Sequence, residues 1–159
     1  MTARATETAA LSKIVRIMMS VVLLVGMCAS APMQAQASES VEVTVGDDVP
    51  YAGYFTTRMW ADGEVAYCAE PAAGTPAPGT YSKSDVSDGD LAAAMWFSYG
   101  APGFDESVFP ERWYDGTGWS EDKYLVASHV LLSFAYQGSR GEAAYGTNAQ
   151  FEKWAKDEL

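Results

Sequence analysis

Cysteine and histidine are scarce in this sequence. Its 159 residues include 2 cysteines, Cys28 and Cys68, and 1 histidine, His129. Metal sites built from protein side chains usually combine several such ligands at close spacing. Because no second histidine or cysteine stands at ligand spacing from Cys68 or His129, the sequence predicts no metal site, and we expect no cofactor.

Positive charge is scarce as well. Residues 38–159 (159 − 37 = 122 residues) carry 7 Lys and Arg against 20 Asp and Glu, so 7 − 20 gives a net charge of −13. An acidic surface repels phosphate groups, which excludes nucleic acid as a partner. The sequence also lacks internal repeats and low-complexity segments, and its length suits one small domain.

A hydrophobic run long enough to cross a membrane is missing too. The apolar run over residues 17–28 is too short to span about 30 Å of hydrocarbon. Basic residues precede it and Ala35-Gln36-Ala37 follows it, which is the order of a secretory signal peptide. We therefore predict a signal peptide over residues 1–37, cleaved near Ala37, and a secreted or cell-surface domain over residues 38–159 without a transmembrane segment.

Removal of the signal peptide leaves Cys68 as the only thiol. The alternative, a lipoprotein anchor through Cys28, is weaker because Met27 precedes it where that signal has Gly or Ala. Cysteines outside the cell are usually paired. A single one therefore forms an intermolecular disulfide, reacts, or is a small buried hydrophobic residue.

The sequence ends in Lys156-Asp157-Glu158-Leu159, which matches an endoplasmic-reticulum retention signal. The alternative is that residues 151–159 form an amphipathic helix, because Phe151 and Trp154 recur at helical spacing and no glycine or proline ends the run. No wall-sorting motif is present. We favour the second interpretation and expect an incomplete domain, continued beyond Leu159 in a longer surface protein.

Short strands are predicted in the first part of the domain. Residues 41–45 alternate apolar and polar side chains and predict a strand, residues 46–50 predict a turn, and residues 51–59 predict a second strand interrupted at Gly53. A hairpin turn at 61–63 leads into a third strand over 64–69, which places Cys68 near a strand end. Residues 72–81 predict a loop without ladder hydrogen bonds.

Helices are predicted in the second part. Ser87 or Asp88 caps a helix that runs to residue 97, Ser120 opens a longer helix that ends at Gly138, and Asn148 caps a last helix. The aromatic segment over residues 101–118 is expected to pack as part of the core. The predicted fold class is α+β, with a small N-terminal antiparallel sheet followed by a helical part with aromatic loops.

One face of the longer helix carries His129. Leu125, Ser128, His129, Leu132 and Tyr136 recur at three- and four-residue spacing, so the imidazole is expected to point inward. Cys68 and His129 could form a nucleophilic pair, as in a Cys-His hydrolase or peptidase. Such enzymes usually place the cysteine at a helix start and the histidine on a strand, the reverse of this order. A structural cysteine with a core histidine is the other alternative.

Tyr67-Cys68, followed by Glu70-Pro71 and a Pro- and Gly-rich loop, resembles the Tyr-Cys motif of thioester domains in Gram-positive surface adhesins and pilin tip proteins. Three later segments, 96–100, 113–116 and 124–133, are similar to actinobacterial members. The resemblance covers the chain from residue 41 to its end.

The resemblance implies a covalent adhesin at the cell surface or cell wall. In that family the cysteine condenses with a glutamine into an internal thioester, and an amine of a host or neighbouring-cell surface protein then attacks it. This is a single-turnover attachment rather than enzymatic turnover. It would explain one unpaired cysteine in an oxidising compartment.

The sequence departs from the family at the second motif, Thr-Gln-x-Ala, whose counterpart is Ser128-His129-Val130-Leu131. An imidazole cannot supply the acyl group of a thioester. Gln137 is one candidate partner, and a glutamine beyond Leu159 is another. We favour the third interpretation, a Cys68–His129 variant that adheres without this thioester or uses Cys68 in another way. A non-catalytic surface binding module remains an alternative.

Overall fold

A computed structural model describes residues 39–159. The signal peptide predicted over residues 1–37 lies outside the described residues. Within residues 39–159, no helix has the length and apolar character needed to cross a membrane. The element order, four antiparallel strands first and three α-helices after them, confirms the predicted α+β class.

The strands form one antiparallel sheet in the order β3-β2-β1-β4. The four elements are β1 (Ser40–Tyr51), β2 (Tyr54–Ala61), β3 (Glu64–Ala66) and β4 (Gly79–Ser82). The predicted hairpin turn between β2 and β3 is confirmed at Asp62-Gly63, where both residues adopt positive φ (52° and 88°).

Two strand predictions were wrong in the first hairpin. Residues 46–50 are not a turn, because β1 continues through them with a bulge between Val45 and Asp48. Gly46 lies under Trp60, and a Cβ at this position would come within 2.8 Å of the indole ring. The turn is instead at Ala52-Gly53, whose positive φ values (48° and 82°) suit a tight two-residue hairpin.

Two more corrections concern the segment after β2. The third strand ends at Ala66 rather than at residue 69, so Cys68 lies two residues beyond it. The predicted loop over residues 72–81 includes the start of β4, which pairs antiparallel with the first four residues of β1. This edge strand is exposed along its length and has no hydrophobic alternation, so the usual strand signal is missing.

The helices begin and end close to their predicted positions. They are α1 (Gly89–Phe97), α2 (Glu121–Gln137) and α3 (Ala149–Glu158), with a 3-10 segment over Gly138–Tyr145 between the last two. Asp88, Ser120 and Asn148 each accept a hydrogen bond from a backbone amide in the first turn of their helix. These caps satisfy amides that would otherwise lack partners.

Helix α2 is the centre of the domain. Every residue from Tyr124 to Val130 is buried, and its first turn is held to β2 by an ion pair between Arg58 and Asp122. The inward orientation expected for His129 is confirmed. Tyr136 was expected on the same buried face, but half of it is exposed because it borders an open apolar cavity.

The aromatic segment packs against α2 and α3, as expected. We call the following residues the aromatic cluster: Tyr51, Phe109, Trp113, Trp119, Tyr124, Phe151 and Trp154. Their ring centroids lie 4.7–6.1 Å from those of their neighbours, mostly in tilted or edge-to-face arrangements. Such contacts contribute beyond the apolar area that they bury.

Candidate functional site

The loop that carries Cys68 passes beside an open edge of the sheet. Strand β3 pairs only with Met59, Trp60 and Ala61, so within residues 39–159 the rest of β2 has no strand on that side. The chain after Ala66 runs past this edge and is held there by two contacts. The Tyr54 hydroxyl donates to the Pro71 carbonyl (2.9 Å), and the hydroxyls of Thr57 and Thr75 lie 2.9 Å apart.

A small cavity of about 70 Å³ lies between this loop, β2 and α2. Cys68 and His129, which are 61 residues apart in the sequence, both line it. The other lining residues are Tyr54, Phe55, Thr56, Thr57, Met59, Pro71, Gly74 and Thr75. The fold therefore brings together the two residues that the sequence singles out, and none of the ten lining residues is an acid, a lysine or an arginine.

A hydrogen-bonded link fixes the position of Cys68 relative to His129. The hydroxyl of Tyr67, the residue before Cys68, donates to the Tyr99 carbonyl (2.6 Å). The Tyr99 amide in turn donates to Oγ of Ser128, the residue before His129 (2.8 Å). Burial raises the pKa of Tyr67 far above its ordinary value, so the phenol keeps the proton that this link requires.

The Cys68 thiol is partly exposed and is bonded to its own loop. Its sulfur lies 3.4 Å from the Glu70 carbonyl and 3.8 Å from the Gly74 carbonyl, and it can donate to either. A carbonyl oxygen only accepts hydrogen bonds. The single thiol hydrogen can therefore be donated to one of these two carbonyls at a time.

His129 is buried and its ring is unpartnered. Only 3% of the residue is exposed, and neither ring nitrogen has a hydrogen-bond partner among residues 39–159. Burial lowers the pKa of His129 from 6.5 to about 4. The nearby Cys68 backbone opposes this shift only in part, because its geometry to the ring nitrogens is not that of a full hydrogen bond. The imidazole is consequently neutral at physiological pH.

The contacts of Cys68 and the burial of His129 both bear on the hydrolase alternative. A Cys-His nucleophile works as a thiolate next to an imidazolium. Here the burial of His129 opposes the imidazolium, and the Cys68 sulfur is bonded to carbonyls of its own loop instead of to His129. Among the described residues, the Cys68 thiol and the His129 ring also make no hydrogen bond with each other. The resting geometry is not that of an activated pair.

Gln137, the other candidate partner of Cys68, lies elsewhere on α2. It is two turns beyond His129, about 12 Å along the helix axis, and is not among the residues that line the Cys68 cavity. Its side-chain oxygen is buried and has no hydrogen-bond partner among the described residues.

A second cavity lies next to Cys68 along the chain. Tyr67 and Ala69, the two neighbours of Cys68, line an apolar cavity of about 370 Å³ instead of the small one. Helices α1 and α2 complete it with Leu91, Met95, Leu132 and Tyr136. The side chain of Met95 is about half exposed, so this cavity is open to an apolar group from outside.

Residues 39–159 contain no group of three or more His, Cys, Asp and Glu side chains placed to hold a metal ion. Two neighbours of the site were missed by the sequence reasoning. Met59 was predicted only as the end of a strand, and Tyr99 only as part of segment 96–100, which resembles actinobacterial members of the family. No local pattern marks either of them, since their contacts join segments distant in sequence.

The site is thus formed by the sheet, the central helix and the loop that carries Cys68. Comparison with protein families shows that residues 40–158 match the thioester domain family. The chain therefore belongs to the thioester domain family. Searches among curated proteins and among solved structures gave no match.

Proposed function

We propose that the chain is an adhesin-type domain, secreted or held at the cell surface, which binds a protein on a host cell or a neighbouring cell. Thioester domains are typically extracellular or surface-bound, and residues 40–158 belong to this family. The observation that carries the proposal is the placement of Cys68 and His129 against one cavity. The sequence resemblance assigns these two residues to the two motif positions of the family.

In this proposal Cys68 stays a free thiol while the domain adheres. The position of the family glutamine is taken by His129, and an imidazole has no acyl group to transfer. The large side chains exposed on and near α1 offer an apolar contact surface for the partner, and surfaces of this kind often mark interaction sites. They are Met95, Trp96, Phe97, Val108 and Tyr136.

Adhesion is tested with the fluorescently labelled chain and cultured cells. We expect saturable binding that is lost when the surface proteins of the cells are removed with protease, and reduced binding for Met95→Glu, which places a charge beside the open apolar cavity. Met95→Leu is the matched control and should bind as the native chain does. Binding no stronger than that of an unrelated acidic protein of similar size rejects the adhesive function.

Covalent attachment through Gln137 is a second candidate, favoured by one observation: the buried side-chain oxygen of Gln137 lacks a partner. In this reaction the Cys68 sulfur attacks the Gln137 side-chain carbonyl, ammonia leaves, and a thioester remains. An amine of the partner protein then attacks that carbonyl, which forms an amide and returns the thiol. Gln137 lies about two helical turns beyond His129, so Gln137 and Cys68 must first move closer together.

The second candidate is tested by methylamine incorporation. It predicts a methylamine adduct on Gln137 that disappears in Gln137→Ala and in Cys68→Ser. Gln150→Ala, which removes a side chain bonded to the Tyr114 carbonyl, is the matched control and should keep the adduct. Absence of any adduct in the native chain leaves the free-thiol adhesin as the function.

A further inference from the structure

The Cys68 cavity is lined by three potential ligands of one soft metal ion. Cys68 provides a thiol, His129 an imidazole and Met59 a thioether, and all three line the same space of about 70 Å³. That space has room for water molecules and for a single ion. Nitrogen and sulfur ligands bind first-row metals at about 2.0–2.3 Å, so binding requires the three side chains to converge on one point of this space.

The second observation is the orphaned state of His129. A buried polar atom without a hydrogen-bond partner costs about 1–3 kcal/mol, and both ring nitrogens of His129 are in this position among residues 39–159. Only 3% of the residue is exposed, so bulk water does not supply the missing hydrogen bonds. A neutral imidazole is a metal ligand that needs no deprotonation, and His129 lines this cavity.

The ligand set and the charge select the ion. Thiolate and thioether sulfur favour Cu(I), whereas Ca²⁺ and Mg²⁺ require oxygen ligands that this cavity lacks in charged form. One Cu⁺ ion bound to one thiolate is electrically neutral. A Zn²⁺ ion would leave an uncompensated positive charge in a buried site with no carboxylate on its lining.

We propose that Cys68, His129 and Met59 form a binding site for a single Cu(I) ion. Binding replaces the thiol hydrogen: Cys68–SH and Cu⁺ give Cys68–S–Cu and one proton, with no change of oxidation state. Met59 is 5% exposed, so two of the three ligands are held by the core. Cys68 comes from the loop beside the open edge of β2, where an ion can enter.

The inference rests on the free thiol of the proposed adhesin and on nothing else in that function. The proposed copper site includes the Cys68 thiol, which is the group that forms the thioester in the family. A bound Cu(I) ion would therefore block alkylation of Cys68. Copper binding and adhesion are measured separately. A chain that binds copper and does not adhere rejects the adhesin proposal alone.

The test is an anaerobic titration of the full chain with Cu(I) against the chromophoric chelator bicinchoninate, in a Cys28→Ser background so that Cys68 is the only thiol. We expect one Cu(I) ion and one released proton per chain at pH 7. Cys68→Ser should abolish binding, and His129→Leu and Met59→Leu should each weaken it by about ten-fold or more. Met95→Leu, a methionine outside the cavity, is the matched control and should have no effect.

X-ray absorption of the copper-loaded chain gives a readout that does not depend on variants. It should show two sulfur ligands and one nitrogen ligand at the copper. One sulfur alone, or affinities unchanged in both His129→Leu and Met59→Leu, would mean a simple thiol adduct and would overturn the site. Binding no tighter than that of Cys68→Ser, or a native chain without a free Cys68 thiol, would overturn it as well.

Discussion

The aromatic cluster and the Cys68 cavity both lie against α2, but they differ in whether their buried polar atoms have hydrogen-bond partners. In the aromatic cluster, the Trp119 indole donates to the Pro110 carbonyl (2.7 Å) and the Tyr51 hydroxyl donates to the Ala144 carbonyl (2.6 Å). In the Cys68 cavity, both His129 nitrogens are left without partners. The first arrangement is built for stability, and the second keeps polar groups available at a cost in stability.

The largest effect is expected from the centre of the aromatic cluster. Phe151 is fully buried and contacts Tyr51, Trp113 and Trp154. Phe151→Ala should lower the free energy of unfolding by about 3–5 kcal/mol, because it removes apolar burial and leaves a cavity. Urea denaturation followed by tryptophan fluorescence measures this change. Phe97→Ala, at a half-exposed position, is the control and should cost clearly less.

The cavity should make stability depend on pH. The pKa of His129 is about 4 in the folded chain and 6.5 when the ring is unperturbed, so below pH 6.5 the unfolded chain takes up a proton that the folded chain does not. Stability is therefore lost as the pH falls from 7 towards 4, by about 3 kcal/mol in total.

The contribution of His129 is isolated by comparison with His129→Leu at each pH, since the many carboxylates titrate in both chains. The stability of the native chain should fall relative to that of the variant between pH 6.5 and pH 4.5. Parallel pH profiles for the two chains would show that His129 is not held neutral by burial.

A buried hydrogen bond in the aromatic cluster should outweigh an exposed one of equal length. Tyr51 and Tyr81 each donate to a backbone carbonyl at 2.6 Å, but only the first bond is buried. Tyr51→Phe should cost about 1–3 kcal/mol, because it leaves the Ala144 carbonyl buried without its partner. Tyr81→Phe should cost about 0.5 kcal/mol or less. If urea denaturation gave equal losses of unfolding free energy for the two variants, burial would not be what sets the strength of these hydrogen bonds.

The smallest effect has the opposite sign. At pH 7, His129→Leu should raise the free energy of unfolding by about 1 kcal/mol, because an apolar side chain of similar size removes the buried unpartnered nitrogens. The same denaturation assay measures it. A destabilisation of several kcal/mol would mean that the His129 ring nitrogens have hydrogen-bond partners within the folded domain. In that case His129 would not lower the stability of the domain.

Local signals in the sequence predicted the helices well. Asp88, Ser120 and Asn148 are caps whose side chains bond within one turn, so their effect is readable from neighbouring residues. The inward orientation of His129 follows equally from helical spacing. Tyr136 shares that spacing and is nevertheless exposed, because it borders an open apolar cavity.

Contacts between distant segments could not be predicted in the same way. The bulge at Gly46 depends on the approach of Trp60, and β4 is an edge strand whose polar side chains give no alternation. The link from Tyr67 through Tyr99 to Ser128 joins residues 32 and 29 positions apart, and Met59 lines the cavity together with residues from the loop after β3 and from α2. The sequence could identify Cys68 and His129, but not the third lining ligand.

The most direct test of the account is the intact mass of the purified chain before and after incubation with methylamine. A free Cys68 opposite His129 predicts the full mass, no change with methylamine, and complete alkylation of Cys68 after denaturation. A mass lower by about 17 Da, one ammonia, together with a methylamine adduct, would show an internal thioester. That result would contradict the claim that His129 has replaced the thioester partner of Cys68.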